Sequence, residues 1–261
     1  MNHVNKTLYI PLYGKSFVSK KGIILQDKKA EEIWDAEGFA LKGKAASKWL
    51  AYYMGMRATV FDRWVEEELK KDPEAVVIHL GCGMDSRVKR VNAAGHKWYD
   101  VDFPEVIDER RRYFEETESY RMISGDVREN DWLKSIAEVD SGIIVMEGIS
   151  MYLTPEELSA LMEALSGHFK QMAVLLDCYT VFAAKMSKYK NPINEVGVTQ
   201  VYGMDDPQKL ENGQITFVKE HEMTPDDLIG ELRGTEKKIF KKLYAGNFSK
   251  KLYRMYEYKT K

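Results

Sequence analysis

The chain has 261 residues, of which 44% are apolar and 31% are charged, and its formal net charge is −2. This length suits one large domain or one domain with a smaller cap, and the apolar fraction is sufficient for a core, which excludes wholesale disorder. The nearly balanced charge argues against a protein dedicated to nucleic acids or to membrane surfaces.

The sequence carries no pattern typical of export, of membrane insertion or of a disulfide framework. Its first residues lack the apolar core of a signal peptide, and no uncharged apolar run reaches the ~18 residues of a membrane span. The closest candidate, Gly142–Leu153, is interrupted by Glu147. Cys82 and Cys178 lie far apart and outside any cluster of cysteine and histidine, which argues against a disulfide and a cysteine-rich zinc site. We therefore expect a cytoplasmic protein without a metal site.

The first 72 residues predict a helical unit after a short irregular entry. Apolar residues recur every three or four positions in Lys28–Asp35 and again from Ala45 to Lys71, which is typical of amphipathic helices. The second helix should end at Asp72, because the residue before a proline is disfavoured in the α conformation.

Arg57 lies in an otherwise apolar part of that second helix. A buried guanidinium needs a carboxylate partner, because an unpaired charge in a core is costly. We expect this partner to be the carboxylate of a bound ligand. The alternative is a core acid on a neighbouring turn, such as Asp62 or Glu66.

From residue 73 onward, short apolar strands alternate with helices, which is typical of a parallel sheet covered by helices. The predicted strands are Ala75–Leu80, Lys97–Val101, Tyr120–Ser124, Gly142–Met146 and Met172–Asp177. The predicted helices are Pro104–Glu118, Asp131–Glu138 and Leu158–Phe169, the last preceded by a capping box at Thr154–Glu157.

The C-terminal part departs from this alternation. Ile215–His221 and Lys251–Lys259 alternate like antiparallel strands, and two helical segments, Thr224–Arg233 and Thr235–Tyr244, lie between them. The predicted fold class is therefore α/β, with a mostly parallel, doubly wound sheet that ends in an antiparallel pair.

A Gly-Cys-Gly turn, Gly81 to Gly83, follows the first predicted strand directly. It is either a tight strand-to-helix turn or a point where the backbone approaches a ligand closely. A dinucleotide fingerprint would require a third glycine where this chain has Ser86, and the carboxylate of Asp85 would repel a pyrophosphate. A cofactor without phosphates, S-adenosylmethionine, is therefore favoured over NAD.

Acidic residues lie at the ends of the next three strands. Asp100 and Asp102 both lie where a carboxylate accepts hydrogen bonds from ribose hydroxyls, although either is also placed to cap the helix at Pro104. Asp126 fits an adenine amino group, but taken alone it is better explained by an ordinary Gly-Asp turn. Glu147 interrupts an apolar strand at its carboxyl end, where a ligand-facing charge is expected.

Four motifs follow one another along the chain: LGCGMDSR, YDVDFPEVIDERR, SGDVRE and MEGISMYLTPEE. Taken together they resemble the leucine carboxyl methyltransferase family of class I S-adenosylmethionine-dependent methyltransferases, which includes tetracenomycin-type polyketide O-methyltransferases of bacteria. The resemblance runs over essentially the whole chain and is loosest after Thr180. It implies a Rossmann-like sheet at 73–261, a helical cap at 1–72 and a substrate-lid insertion around 180–213.

The resemblance also implies S-adenosylmethionine as the cofactor and S-adenosylhomocysteine as its product. The family's turn is usually Gly-Ala-Gly, so Cys82 is a mild departure. No substrate residue can be carried over from the loosely similar C-terminal third. The residues assigned to the cofactor are Lys15 and Arg57 at the methionyl carboxylate, Gly81 and Gly83 in the turn, Asp102 at the ribose, Asp126 and Val127 at the adenine, and Glu147 near the methionyl group.

The expected reaction is methyl transfer to a carboxylate or hydroxyl of a small molecule. A protein C-terminus is the alternative acceptor, and a non-catalytic protein that binds S-adenosylmethionine is the alternative class. The segment Lys237–Lys261 has nine basic residues against one acid, Glu257. RNA contact would use such a surface, but a solvated helix face beside an edge strand explains it better, so nucleic acid is not an expected partner.

None of the four motifs contains a histidine near the cofactor, and His79 is predicted to lie in the core. A phenol would normally need a general base at neutral pH, whereas a carboxylate is already ionised. This predicts an acceptor that is ionised at pH 7, with Glu147 or a tyrosine as the alternative base.

Overall fold

A seven-stranded sheet forms the centre of the structure, a computed structural model that describes residues 8–38, 41, 43–93, 95–187 and 200–261. Its strands are β1 (Val76–Leu80), β2 (Trp98–Asp102), β3 (Tyr120–Ser124), β4 (Ser141–Met146), β5 (Gln171–Tyr179), β6 (Ile215–Glu220) and β7 (Tyr253–Thr260).

The strand order is β3-β2-β1-β4-β5-β7-β6. The first five strands in this order are parallel, whereas β7 runs antiparallel to both β5 and β6. The predicted mixed α/β class with an antiparallel C-terminal pair is confirmed. The order reverses between β1 and β4, and ligands of open α/β sheets bind at the carboxyl ends of the strands beside such a reversal.

Ten α-helices accompany the sheet in the described ranges, beginning with three in the N-terminal part. They are α1 (Tyr9–Lys20), α2 (Lys28–Glu37), α3 (Lys48–Lys71), α4 (Arg87–Arg90), α5 (Pro104–Arg110), α6 (Pro155–His168), α7 (Val181–Met186), α8 (Asp226–Gly230), α9 (Gly234–Leu243) and α10 (Asn247–Lys250). Short 3₁₀ helices cover Gly43–Ala46, Asp131–Ser135, Ser150–Tyr152 and Pro207–Leu210.

Helix ends follow local chemistry where the sequence predicts them. α3 ends at Lys71, before the Asp-Pro step. α6 begins with a complete capping box, in which the Thr154 side chain accepts from the Glu157 backbone N–H and the Glu157 side chain accepts from the Thr154 backbone N–H.

Two predicted helices are wrong in extent. α5 ends at Arg110 instead of reaching Glu118, and the helix predicted at 131–138 is a short 3₁₀ helix. After Phe114 the chain turns into β3. The Thr117 N–H donates to the Tyr120 carbonyl at 2.9 Å, and the Met122 N–H donates to Glu116 Oε1 at 2.8 Å. These hydrogen bonds belong to the entry of the strand and are incompatible with a helix that continues to Glu118.

Both faces of the sheet are covered, as parallel strands require. On one face, α3 residues pack with Val77 and Leu175, and on the other, α6 residues pack with Ile78 and Val174. The carboxyl ends of the strands remain as the edge at which a ligand can approach.

The part of the chain after β5 contains α7 and then residues 188–199, which lie outside the described residues. The centre of the lid insertion predicted around 180–213 falls on them. Among the described helices, none combines the length and apolar character required to cross a membrane.

Candidate active site

A cavity of about 1240 Å³ lies at the carboxyl ends of the strands, where α1 and α3 face the sheet. Its volume exceeds the about 300–1,000 Å³ of a typical small-molecule pocket, so it has room for two ligands side by side. The structure brings all eight residues predicted for the cofactor to its wall: Lys15, Arg57, Gly81, Gly83, Asp102, Asp126, Val127 and Glu147.

The turn after β1 is built from glycine for steric reasons. Gly81 has φ +61°, and a Cβ atom there would lie 1.9 Å from Cγ2 of Ile149. Gly83 also has a positive φ, and its backbone N–H donates to Oδ2 of Asp102 at 2.8 Å. The turn is therefore tied to the end of β2, and a side chain at Gly81 is excluded on two grounds.

The structure separates the two acids of β2. Asp102 lines the cavity, with one carboxylate oxygen accepting from the Gly83 N–H and the other from the Phe103 N–H at 2.8 Å. Burial raises the pKa of Asp102 to about 6, against the lowering effect of these two N–H donors. Neither acid caps α5 through its side chain, so the capping alternative is wrong.

Asp100 is fully buried and has a structural environment. Its carboxylate accepts from Trp98 Nε1 at 2.9 Å and from the Tyr120 hydroxyl at 2.6 Å, and it pairs with the buried Arg110. Burial alone would raise the pKa of Asp100, but Arg110 above all lowers it to about 2. These partners occupy Asp100, which leaves Asp102 as the acid of β2 that faces a ligand.

Arg57 is 2% exposed and is held by two acids from the ends of β4 and β5. Its Nη2 donates to Glu147 Oε1 and its Nη1 donates to Asp177 Oδ2, both at 3.0 Å. The predicted alternatives are wrong, because Asp62 pairs with other arginines and neither it nor Glu66 reaches Arg57. Nε of Arg57 is buried without a hydrogen-bond partner among the described residues, which leaves one N–H of this guanidinium for a further carboxylate.

Lys15 meets the same acidic group from α1. Its Nζ lies 2.6 Å from Asp85 Oδ2 and 3.4 Å from Glu147 Oε1, and the lysine is 2% exposed. Burial alone would raise the pKa of Glu147, but Lys15 and Arg57 lower it well below its usual range. Glu147 is therefore an ionised carboxylate held by three cations, because Arg87 Nη2 also pairs with its Oε2, and two of these cations, Lys15 and Arg57, line the cavity wall.

Asp85 belongs to this network as well. Arg90 Nη1 lies 2.8 Å from Asp85 Oδ1, and the Ser86 hydroxyl beside it donates to Asp27 at 2.7 Å. Burial would raise the pKa of Asp85, but Arg87 and Arg90 hold it well below its usual range. Its charge is thus balanced by cations, which weakens the sequence argument that this acid repels a phosphate ligand.

Asp126 and Val127 lie at the cavity wall after β3. The Asp126 carboxylate accepts from Arg128 Nε at 2.9 and 3.0 Å and from the Arg128 backbone N–H at 3.0 Å. These hydrogen bonds lower the pKa of Asp126. The geometry has the features of an Asx turn, and an adenine amino group would have to share the carboxylate with Arg128.

His79 lies in the core as predicted and also touches the cavity. Its Nε2 is 3.2 Å from Arg87 Nη1, and burial lowers its pKa. Burial raises the pKa of both thiols, Cys82 and Cys178, so neither is an activated nucleophile. Within the described ranges, no group of three or more His, Cys, Asp or Glu residues is arranged to hold a metal ion.

The rest of the cavity wall is mainly apolar and includes eight aromatic residues, most of which were not identified from the sequence. Alternation in the last strand indicates buried positions there, but no local pattern says which of them face a ligand. The aromatic wall residues are Trp49, Tyr53, Phe103, Tyr152, Tyr179, Tyr244, Phe248 and Tyr253.

Comparison with known proteins gives a consistent result. The family model of leucine carboxyl methyltransferase matches residues 3–166. The tetracenomycin polyketide synthesis O-methyltransferase TcmP of Streptomyces glaucescens is 31% identical over 69% of this chain and 68% of its own length. The S-adenosyl-L-methionine-dependent methyltransferase dpfgK of Gibberella zeae is 30% identical over 64% of this chain and 61% of its own length.

The fold also matches solved structures. The magnesium protoporphyrin IX methyltransferase of Synechocystis PCC 6803, solved with bound S-adenosylhomocysteine, aligns with a TM-score of 0.54 at 12% identity. The alignment covers 95% of this chain and 97% of that one. At this identity the match shows the shared fold.

Proposed function

This chain belongs to the leucine carboxyl methyltransferase family and is an S-adenosylmethionine-dependent O-methyltransferase, and from that premise we propose that its methyl acceptor is a small molecule with an apolar, aromatic body. One observation carries the proposal. All eight residues predicted for the cofactor line one cavity, and the remaining wall of that cavity is mainly apolar and includes eight aromatic rings. The relative TcmP, which is named for tetracenomycin polyketide synthesis, supports a small acceptor.

We propose that the cofactor lies along the strand ends in the order of the strands. Asp126 follows β3 and would meet the adenine, and Asp102 ends β2 and would accept from the ribose hydroxyls. The turn at Gly81 lies at the centre of this row. Glu147 follows β4, where it and Arg57 would fix the methionyl group, with the carboxylate at the guanidinium and the amino group at the acid.

The bound cofactor supplies an electrophilic methyl group on a sulfonium. The chain therefore has to align two reactants and exclude water, and correct alignment contributes about 7–11 kcal/mol to such reactions. Lys15 on α1 and Arg57 on α3 bring the N-terminal helices to the cofactor end of the cavity. We propose that residues 1–72 act as a cap over a core at 73–261, with the lid insertion around 180–213 covering the acceptor.

We also propose an acceptor oxygen that is already ionised at neutral pH. His79 is the histidine that the described part of the chain places at the cavity, and its ring is engaged by Arg87. A carboxylate needs no base, so it fits this environment better than a phenol does. A protein C-terminus as the acceptor is tested by including a C-terminal peptide among the candidate acceptors.

S-adenosylmethionine is expected to bind in the micromolar range, about −8 kcal/mol, and more tightly than NAD. Titration calorimetry measures both affinities. Gly81→Ala should abolish binding because its new Cβ would meet Ile149, whereas Gly167→Ala, where a Cβ would have open space, should not change it. Tighter binding of NAD, or unchanged binding by Gly81→Ala, would contradict the proposed cofactor site.

The affinity for S-adenosylmethionine should fall as the pH is lowered below about 6. Burial raises the pKa of Asp102 to about 6, so the carboxyl takes up a proton there and one oxygen stops being an acceptor. The carboxylate form predominates above that pH, and each unit below it should cost up to tenfold in affinity. Calorimetry from pH 5 to 8 tests this, with Asp102→Asn as the variant that should bind weakly and without this pH dependence.

A further inference from the structure

Tyr253 differs from the other tyrosines of its strand. It is the first residue of β7 and lines the cavity, and its hydroxyl has no hydrogen-bond partner in the described part of the chain. Tyr256 and Tyr258 on the same strand donate to the backbone carbonyls of Asp205 and Pro207, at 3.4 and 2.9 Å. A polar group that lines a ligand cavity without a protein partner is available to the ligand.

The ring of Tyr253 is firmly positioned. β7 pairs with β5 in a register that places Tyr253 opposite Tyr179, and the two rings meet edge to face with centroids 4.6 Å apart. The Tyr53 ring lies 6.2 Å away, and its hydroxyl accepts from Ser249 at 3.1 Å. Two aromatic contacts thus fix the ring, and the hydroxyl is presented from a defined position.

The position of β7 places this hydroxyl beyond the methionyl end of the proposed cofactor site. The acids that hold Arg57 follow β4 and end β5, and β7 is the next strand in the sheet. With about 4.8 Å between neighbouring strands, β7 lies about 10 Å from β4. Arg57 and Tyr253 also interact electrostatically. Tyr253 therefore lies on the side where an acceptor would approach the methyl group.

The phenol of Tyr253 remains protonated at neutral pH. Burial, followed by the neighbouring Tyr179 and Asp177, raises its pKa well above its usual value. Tyr253 is consequently a hydrogen-bond donor at neutral pH and not a base.

We propose that Tyr253 binds the methyl acceptor by donating a hydrogen bond to one of its oxygens, an inference that rests on the proposed methyltransferase function. For a carboxylate acceptor, one oxygen accepts from Tyr253 while the other forms the new bond to the methyl carbon. The carbon–sulfur bond breaks and its electron pair passes to sulfur, so sulfonium and carboxylate lose their charges together. No proton leaves Tyr253 in this step.

The test compares Tyr253→Phe with the wild-type enzyme. The acceptors are benzoate, 2-naphthoate and anthracene-2-carboxylate, with the corresponding phenols, and transfer is followed with S-adenosylmethionine labelled in its methyl group. The variant keeps the ring contacts and loses one hydrogen bond to a charged group, so kcat/KM should fall about 10- to 100-fold. Its affinity for S-adenosylmethionine should stay within twofold. Tyr256→Phe, which lies outside the cavity wall, is the matched control and should keep wild-type kcat/KM.

A second measurement does not depend on turnover. Calorimetry of the S-adenosylhomocysteine complex with 2-naphthoate should show binding that weakens about tenfold in Tyr253→Phe. Unchanged kcat/KM or unchanged naphthoate binding in the variant would overturn the proposal, as would a wild-type complex that binds no naphthoate. An equal loss of S-adenosylmethionine affinity would also overturn it, because Tyr253 would then have a structural role. Failure of the wild-type enzyme to bind S-adenosylmethionine would instead reject the proposed function.

Discussion

Arg57→Met is expected to weaken S-adenosylmethionine binding about 100-fold or more and to lower the free energy of unfolding by about 3–5 kcal/mol. Both effects come from one guanidinium. The variant would lack the charge-assisted contact between this group and the methionyl carboxylate. It would also leave Glu147 and Asp177 buried without the cation that they share. Calorimetry and denaturant unfolding measure the two quantities separately.

The same helix offers a matched control for this prediction. Arg63 pairs with Asp227 at 2.7 Å, but both side chains are about half exposed, so Arg63→Met should change stability by about 1 kcal/mol or less. It should leave cofactor binding unchanged. Arg57→Lys should give an intermediate result, because it keeps the charge but cannot engage two acids with one planar group. An Arg57→Met protein that binds S-adenosylmethionine like the wild type would remove this arginine from the cofactor site.

The parts of the fold that depend on local signals could be predicted from the sequence. The strands have apolar runs between turn residues, and the start of α6 is specified by Thr154 and Glu157, which lie three residues apart. The end of α5 could not be predicted, because the turn that leads into β3 depends on hydrogen bonds such as that from the Met122 N–H to Glu116 Oε1, which no helix signal marks.

The sequence also identifies some residues of the site and not others. Residues at the ends of strands, such as Gly81 and Glu147, could be found because the carboxyl edge of a parallel sheet is a known place for ligands. The partners of Arg57 could not, because Asp177 lies 120 residues away in the chain and meets it only through the packing of α3 on the sheet. The role of the Tyr253 hydroxyl could not be predicted, because the alternation of polar and apolar residues in a strand does not show which side chains face a cavity.

Asp100→Asn should mainly reduce stability, whereas Asp102→Asn should mainly weaken cofactor binding, although the two residues lie only two positions apart on β2. Asp100→Asn removes the counter-charge of the fully buried Arg110, and it should lower the free energy of unfolding by about 3–5 kcal/mol. Its folded form should bind S-adenosylmethionine within a few-fold of the wild type, because Asp100 does not reach the cavity wall.

Asp102→Asn should lower the affinity for S-adenosylmethionine tenfold or more, because the amide replaces one oxygen acceptor at the ribose hydroxyls. Its effect on stability is the sum of two opposing terms. Burial raises the pKa of Asp102 from 3.8 to about 6, so the ionised carboxylate opposes folding above that pH by on the order of 3 kcal/mol. A neutral amide avoids this penalty, but it leaves the N–H of Gly83 or of Phe103 without its acceptor, which costs about 1–3 kcal/mol. The two terms nearly cancel at pH 7, where Asp102→Asn should lie within about 2 kcal/mol of the wild type, and the variant should be less stable than the wild type near pH 4, where the carboxyl no longer carries the charge penalty. Thermal unfolding at pH 4 and 7 together with calorimetry measures both effects; a destabilised Asp102→Asn that binds the cofactor normally would show that Asp102 supports the fold and that the ribose is bound elsewhere.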